Sequence, residues 1–189
     1  TIFHKMIRVA RDVARQSQKL VTLVTQGEDT DMDRHIAEML TAPVMHLVCN
    51  AVSHGIESPE RREQCGKPRI GMVYLKAYDT ADGQVVIEVQ DDGQGLDRQA
   101  IRARALEKGL IEPTKELSER EIEALIFQPG FSTSTEVTEI AGRGVGLDVV
   151  RRNIDTLKGR IEVTSMMGKG TTFALYLPLT RSRGERGGV

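Results

Sequence analysis

The stretch TAPVMHLVCNAVSHGI, residues 41–56, contains no Asp, Glu, Lys or Arg, although 28% of the chain is charged. A run of this kind predicts a buried helix, with Pro43 in its first turn, where a missing N–H is tolerated. The stretch is too short, and too interrupted by His and Asn, for a bilayer span, which needs about 20 mostly apolar residues. We therefore expect it to form the central helix of a packed core. The segment QGEDTDMD, residues 26–33, supplies the N-cap, and the helix is either one long element or two helices broken near Pro43.

The polar residues of this helix share one stripe at i+3 and i+4 steps. They are His46, Asn50, Ser53, His54 and Glu57. A solvent-facing stripe would normally contain Lys and Glu, whereas this one offers neutral ligand types and one carboxylate at its end. Because buried polar groups need hydrogen-bond partners, we expect the stripe to line a ligand cavity.

Length and charge limit the class of protein. At 189 residues and 20.9 kDa the chain suits one domain, predicted over residues 1–180, with a flexible polar tail at residues 181–189. A net charge of -1 gives no indication of nucleic-acid binding or of a basic membrane-facing surface.

Cys49 and Cys65 form no CxxC pair, which argues against a disulfide framework and zinc and suits a reducing cytoplasm. The start without Met, directly in a helical pattern, is typical of a piece of a longer protein.

Periodicity and turn residues predict the remaining elements. Two hairpins indicate a largely antiparallel sheet with helices on one face, an α+β two-layer sandwich. The charged connector between the central helix and the first hairpin, residues 57–70, is interpreted as a solvated face. The loop at residues 128–142 has the length and composition of a lid. The predicted helices are 2–18, 97–108, 118–127 and 145–158, and the predicted strands are 19–25, 70–79, 84–90, 159–165 and 171–177.

Two glycine-rich turns, DDGQG at residues 91–95 and GRGVG at residues 142–146, lie at strand or helix ends. A helix N-terminus presents free N–H groups and a positive dipole end, and glycines let phosphate oxygens approach them. The second motif is GxGxG and not GxGxxG, and no GxxxxGK[ST] is present, so neither a dinucleotide fold nor a P-loop is indicated. Each motif alone is a weak indication.

The order of the motifs is more specific. The chain contains HLVCNAVSHGIE at 46–57, GKPRIG at 66–71, DDGQGLD at 91–97, FQPGFST at 127–133, GRGVGLDVV at 142–150 and KGTTF at 169–173. In this order and spacing it resembles the ATP-binding catalytic domains of gyrase-type ATPases, heat-shock chaperones, histidine kinases and mismatch-repair proteins. Over residues 3–179 it most closely resembles the kinase domain of the CheA family of chemotaxis histidine kinases. The resemblance implies a Bergerat-type ATP-binding fold and an ATP-dependent protein-histidine kinase.

The resemblance also implies roles for single residues. Asn50 holds Mg²⁺ against the phosphates, for which its amide oxygen is a suitable hard ligand. His46 takes the place of the catalytic Glu of ATP-hydrolysing relatives. Two roles are open: it orients or deprotonates the attacking group in phosphoryl transfer, or it helps to hold the metal and phosphates. Asp91 accepts the adenine amino group. Further nucleotide contacts are implied at His54, at Gly93 and Gly95 beside base and sugar, at Thr171 acting through Asp91, at Arg104, at Ser132 and Thr133 of the lid, and at Gly142, Gly144 and Gly146 of the phosphate cradle.

In that family the γ-phosphate of ATP passes in trans to a His on a separate phosphotransfer domain and then to a response regulator. Coupling protein and chemoreceptors connect through domains outside this chain, which is expected to be a monomeric cytoplasmic fragment of a dimeric parent, without nucleic-acid binding or membrane insertion. Two alternatives remain open. Ser53, where the family has Asp, is the one hint of a nucleotide-binding regulatory module with weak or no kinase activity. An ATP-hydrolysing conformational clamp is the other, and His46 in place of Glu argues against it.

Overall fold

The computed structural model describes residues 2–132 and 146–178. The helices are α1 Ile2–Gln16, α2 Arg34–Asn50, α3 Pro59–Gln64, α4 Arg98–Glu107, α5 Glu119–Ala124 and α6 Leu147–Thr156, with a π-helical turn at Ala51–Gly55 and a 3-10 turn at Leu125–Phe127. The strands are β1 Val21–Gln26, β2 Gly71–Asp79, β3 Gln84–Asp91, β4 Arg160–Met166 and β5 Gly170–Pro178. The predicted tail at residues 181–189 and most of the predicted lid lie outside the described residues.

The five strands form one sheet in the order β1-β2-β3-β5-β4. β1 runs parallel to β2, and the other neighbouring pairs are antiparallel. Side chains on one face of the sheet, such as Val73, Ile87 and Leu175, are buried with residues of α1, α2 and α6 in one core. The predicted α+β sandwich with a mixed, mostly antiparallel sheet is therefore confirmed.

Helix α2 begins earlier than the charge-free stretch indicated. Asp33 caps it, and its Oδ1 accepts hydrogen bonds from the backbone N–H groups of His35 at 2.8 Å and Ile36 at 3.3 Å. Asp33 belongs to the segment predicted to supply the N-cap, and the helix is one long element and not two helices broken near Pro43. Pro43 lies in the helix interior, so the prediction that it lies in the first turn is wrong. The reason is that residues 34–40 are amphipathic and helical although they contain charges.

With its π turn the central helix spans Arg34–Gly55, 22 residues. By length and composition alone this longer part of the described chain is compatible with a membrane span, which the stretch 41–56 by itself is not. Half of the segment is buried inside the domain, which is the behaviour of a core helix.

The π turn ends the central helix against the end of β3. The N–H of Ile56 donates to the carbonyl of Ala51 at 2.8 Å, an i→i+5 bond, and such turns are frequent at functional sites. The ammonium group of Lys19 donates to the carbonyl of Val52 at 3.2 Å and also to that of Ser53, which satisfies carbonyls at the helix end. The carbonyl of Gly55 then accepts from the N–H of Gln94 at 2.9 Å, which fixes the turn after β3.

Most of the connector 57–70 is exposed, as the sequence predicted, but Arg62 and its partners depart from a solvated face. Arg62 is only 1% exposed. Its guanidinium donates to Glu57 Oε1 at 3.0 Å, to Asp92 Oδ2 at 3.1 Å and to the carbonyl of Pro68 at 2.6 Å. Lys67 Nζ donates to Glu57 Oε2 at 2.7 Å and to the carbonyls of Asp92 and Gly93 at 3.0 and 2.8 Å. We call Glu57, Arg62, Lys67 and Asp92 the ion network; it fastens the connector to the residues that follow β3.

Candidate active site

A cavity of about 910 Å³ lies between the central helix, the ends of β3 and β5, and helices α4 and α6. This volume falls within the range of small-molecule sites, roughly 300–1,000 Å³. The predicted site residues that line it are His46, Asn50, His54, Asp91, Gly95, Ser132, Gly146 and Thr171. Gly93 and Arg104 do not line it, and Thr133, Gly142 and Gly144 lie outside the described residues.

Asp91 and Thr171 at the base of the cavity continue, on the next strand, into Ser165 behind them, which gives a row of three polar residues on neighbouring strands. Asp91 of β3 lies opposite Thr171 of β5, and Thr171 lies opposite Ser165 of β4. Directly opposite residues of antiparallel strands share one face of a sheet. We call Asp91, Thr171 and Ser165 the polar row; it occupies the end of an inner face that is otherwise apolar.

Asp91 is 5% exposed and its carboxylate is held by backbone donors. The N–H of Gly93 donates to Oδ1 at 2.9 Å, and the N–H of Thr171 also hydrogen-bonds the carboxylate. Burial raises the pKa of Asp91 to about 6 against the lowering effect of these two bonds, with smaller raising contributions from the charges of Asp92 and Glu57. A buried acceptor of this kind is suited to an amino group of a ligand.

The structure gives Gly93 and Gly95 a role other than the predicted close approach of base and sugar. A Cβ on Gly93 would lie 1.9 Å from the carbonyl oxygen of Gly55, and a Cβ on Gly95 would lie 2.4 Å from that of Met166. Gly95 also has φ +76°, in the left-handed region. Both glycines are therefore required by contact between backbone segments, and ligand contact at Gly95 stays a prediction.

Asn50 and His46 lie one turn apart on the stripe of the central helix that lines the cavity. Burial lowers the pKa of His46, the charge of His54 lowers it further, and Asp148 acts in the opposite direction. The His46 imidazole is therefore neutral at neutral pH and able to accept a proton. Ser53 does not line the cavity, because its hydroxyl turns back and donates to the carbonyl of Cys49 at 2.6 Å.

The other end of the cavity is bounded by Ser132 and by Gly146, the N-cap residue of α6. The first N–H groups of a helix are unsatisfied within the helix and favour anions. Lys108 Nζ donates to the carbonyl of Gly130 at 2.9 Å and to that of Phe131, which fixes the chain just before Ser132.

Arg104 was predicted to contact phosphate. Its guanidinium carbon lies 5.3 Å from the centroid of the Phe131 ring, within cation–π distance. Phe131 lines the cavity and Arg104 does not, so phosphate contact by Arg104 stays a prediction.

Three residues around the cavity were missed by sequence reasoning. Gln94 Nε2 donates to the carbonyl of His54 at 2.8 Å, Lys67 belongs to the ion network, and Ser165 belongs to the polar row. Gln94 lies inside the DDGQG motif and could have been found there. Lys67 lies inside the GKPRIG motif but was given no role, and Ser165 gave no indication, because their partners are distant in sequence.

Within residues 2–132 and 146–178 no group of three or more His, Cys, Asp or Glu side chains is arranged to hold a metal ion. The amide oxygen of Asn50 in the cavity wall fits an ion whose other ligands are phosphate oxygens and water, as is usual for Mg²⁺. The donor set thus suits an ion that enters with a nucleotide.

Comparison with known proteins agrees with this geometry. Residues 40–181 match the family described as histidine kinase-, DNA gyrase B- and HSP90-like ATPase. The chain belongs to this ATPase family.

Curated relatives narrow the assignment. The chain is 48% identical over 95% of its length to chemotaxis protein CheA of Treponema pallidum and 46% identical over 95% to that of Cereibacter sphaeroides. It spans 22% and 26% of the lengths of these two proteins. Within the family the chain is a CheA-type histidine kinase ATPase domain.

Solved structures agree on the fold. The histidine kinase domain of a blue-light activated kinase from Erythrobacter litoralis superposes with a TM-score of 0.54 at 17% identity, covering 94% of this chain and 65% of that one. Histidine kinase AdeS of Acinetobacter baumannii gives 0.55 at 15% identity, covering 95% and 64%. At these identities the likeness concerns the fold alone.

Proposed function

We propose that the chain binds Mg-ATP in this cavity and transfers the γ-phosphate in trans to a histidine on a separate phosphotransfer domain. One observation supports the nucleotide's orientation more than any other: the buried carboxylate of Asp91 in the cavity wall. A carboxylate accepts from the adenine amino group, whereas the corresponding carbonyl of guanine has no proton to donate. The base therefore lies at the polar row, and the phosphates extend toward Asn50 and the start of α6.

The phosphate end requires a counter-charge. Mg²⁺ arriving with the nucleotide would be held by Asn50 and would neutralise charge on the phosphates during transfer. The N–H groups at the start of α6, beside Gly146, face the same end and stabilise anionic oxygens. Ser132 is a further hydroxyl donor to phosphate there.

His46 is the residue best suited to move a proton. A nitrogen of the acceptor imidazole attacks the γ-phosphorus, the bond from γ-phosphorus to the bridging oxygen breaks, and ADP leaves. The attacking imidazole gives up a proton, and the neutral His46 imidazole accepts it. We favour this role over metal binding because oxygen ligands suit Mg²⁺ better than nitrogen does.

The signalling partners that we propose are suggested by the curated relatives, which are chemotaxis proteins. The acceptor belongs to the same signalling protein, a response regulator receives the phosphate next, and a coupling protein and chemoreceptors act through other domains. We propose a cytoplasmic location, a monomeric state for residues 1–180 alone and a dimeric parent, with residues 181–189 as a tail. Ser53 donates to the carbonyl of Cys49 and not into the cavity, and a regulatory module with weak or no kinase activity is the alternative that the transfer assay below distinguishes.

Calorimetric titration with ADP and a non-hydrolysable ATP analogue, with and without Mg²⁺, tests the binding site. We expect saturable binding that weakens at least tenfold in Asp91→Asn, while Asn50→Ala loses mainly the Mg²⁺-dependent part. Absence of binding to the folded wild-type chain would refute the proposal. Radiolabel transfer from ATP to a histidine phosphotransfer domain tests the reaction, and steady ATP hydrolysis without an acceptor would favour the clamp instead.

A further inference from the structure

Ser165 lies at the far end of the polar row and is held from several directions. Its Oγ accepts a hydrogen bond from the N–H of Leu96 at 2.7 Å. Its carbonyl accepts from Arg98, whose guanidinium is also paired with the buried Glu123. Ser165 is therefore fixed by both its backbone and its side chain.

The Ser165 hydroxyl has a single proton and two acceptors within reach. The carbonyl oxygen of Gly170 is at 3.2 Å and the hydroxyl oxygen of Thr171 at 3.0 Å. Which of the two oxygens accepts this proton influences the direction in which the Thr171 hydroxyl points. If Ser165 donates to Thr171, the Thr171 proton is released toward the cavity; if Thr171 donates to Ser165, Thr171 presents only lone pairs.

Only one of these arrangements matches adenine. Its edge offers an amino donor next to the ring acceptor N1, so the protein must present an acceptor beside a donor. Asp91 is the acceptor, and Thr171 is 7% exposed and lines the same wall. If the Thr171 oxygen presented only lone pairs, it and ring nitrogen N1 would both be acceptors and could not form a hydrogen bond. Guanine has the reverse pattern, a carbonyl acceptor beside an N–H donor.

We propose that Ser165 is a specificity-determining positioning residue: its hydroxyl donates to Thr171 Oγ1, so that the Thr171 proton points into the cavity as a donor to adenine N1, directly or through a water molecule. The proposal rests on the adenine-nucleotide site put forward above. Ser165 acts through Thr171 and does not itself line the cavity.

The test is a double-mutant cycle that combines one change in the protein, Ser165→Ala, with one change in the ligand, the replacement of ring nitrogen N1. Affinities for ATP and for 1-deaza-ATP, whose N1 is replaced by C–H, are measured by calorimetry with wild type and Ser165→Ala. For one neutral hydrogen bond we expect wild type to bind the deaza analogue about threefold to tenfold more weakly. In Ser165→Ala this penalty should fall below about twofold, because the two partners are coupled. A structural role alone would weaken both ligands equally and leave the penalty unchanged, and that result would overturn the proposal.

Three further variants sharpen the result. Ser165→Thr keeps the hydroxyl and should keep the penalty, as should Thr164→Ala, a matched control on the same strand with an exposed side chain. Thr171→Val removes the donor itself and should abolish the penalty, which keeps the test valid if Ser165→Ala does not fold. If wild type binds ATP but shows no penalty for 1-deaza-ATP, this inference fails and the nucleotide site stands. If wild type binds neither ligand, the proposed function fails as well.

Discussion

Gly55 lies so close to Asp91 that a Cβ on Gly55 would stand 2.8 Å from Oδ2 of the carboxylate. The end of the central helix is thus packed directly against the group that we propose to recognise adenine. The last residue of the π turn and the last residue of β3 are thus in direct contact, although they are 36 positions apart in the chain.

Gly55→Ala should therefore separate binding from stability. We expect nucleotide affinity to fall about tenfold, because the Asp91 carboxylate must move, while alanine restores up to about 1 kcal/mol of helix propensity and offsets the strain. Calorimetry and urea unfolding measure the two effects. Ser53→Ala in the same turn is the matched control and should bind normally; unchanged affinity in Gly55→Ala would contradict the expected contact.

Asp91 should make the unfolding free energy depend on pH. Its pKa of about 6 in the folded protein lies above the ordinary value of 3.8. The folded state therefore favours the protonated carboxyl, and this contribution is present below pH 4 and lost as pH rises through about 6. This rise in the pKa of Asp91 corresponds to a loss of unfolding free energy on the order of 3 kcal/mol.

Urea unfolding of wild type and Asp91→Asn without nucleotide, from pH 4.5 to 7.5, measures this loss. Asparagine does not titrate, so Asp91→Asn should gain stability relative to wild type as pH rises. Groups common to both proteins cancel in the difference. A difference that stays flat across this range would show that Asp91 titrates normally.

Arg62→Met should destabilise the domain strongly. It leaves the buried carboxylate of Glu57, 6% exposed, with Lys67 as its remaining partner, and it removes the guanidinium from the partly exposed carboxylate of Asp92. Removing one partner from a buried ion pair typically costs about 3–5 kcal/mol. Arg62→Lys keeps the charge but lacks the planar fork, so it should lie between wild type and Arg62→Met.

The neighbouring Arg61 is exposed and provides the control for these unfolding measurements. Arg61→Met should change the free energy of unfolding by no more than about 0.5 kcal/mol. Equal effects of Arg61→Met and Arg62→Met would mean that the ion network is not what stabilises the connector.

His46→Ala should slow phosphoryl transfer without preventing ATP binding. General base catalysis typically contributes about 10²–10⁴-fold, so single-turnover transfer to a histidine acceptor should slow by that order, with ATP affinity within about threefold. His35→Ala, an exposed histidine on the same helix, should transfer at the wild-type rate. A parallel loss of ATP affinity in His46→Ala would instead indicate that His46 holds metal or phosphate.

Local patterns predicted the fold well. The hairpin around Asp82 and Gly83 and the capping box at Ser118 both form as expected, because each depends on neighbouring residues. The N-cap of the central helix was predicted in the correct segment, but Pro43 was wrongly predicted in the first turn because charged residues precede it on an amphipathic turn.

Long-range pairings limited the prediction of the site. Arg62 was interpreted as solvated because its partner Asp92 is 30 residues away, and Ser165 gave no indication because Leu96 is 69 residues away. The cavity-lining residues Asn50 and Asp91 were identified through a family resemblance, which already contains such pairings.

The polar row occupies a single rung at the end of the sheet, while the inner rungs beyond it, such as Val89 opposite Phe173 and Ile87 opposite Leu175, are apolar and buried. If the polar row recognises the base as we propose, base preference and core packing depend on different rungs of one sheet. Mutational libraries confined to the terminal rung can search for new base preferences without disturbing the packing on which folding depends.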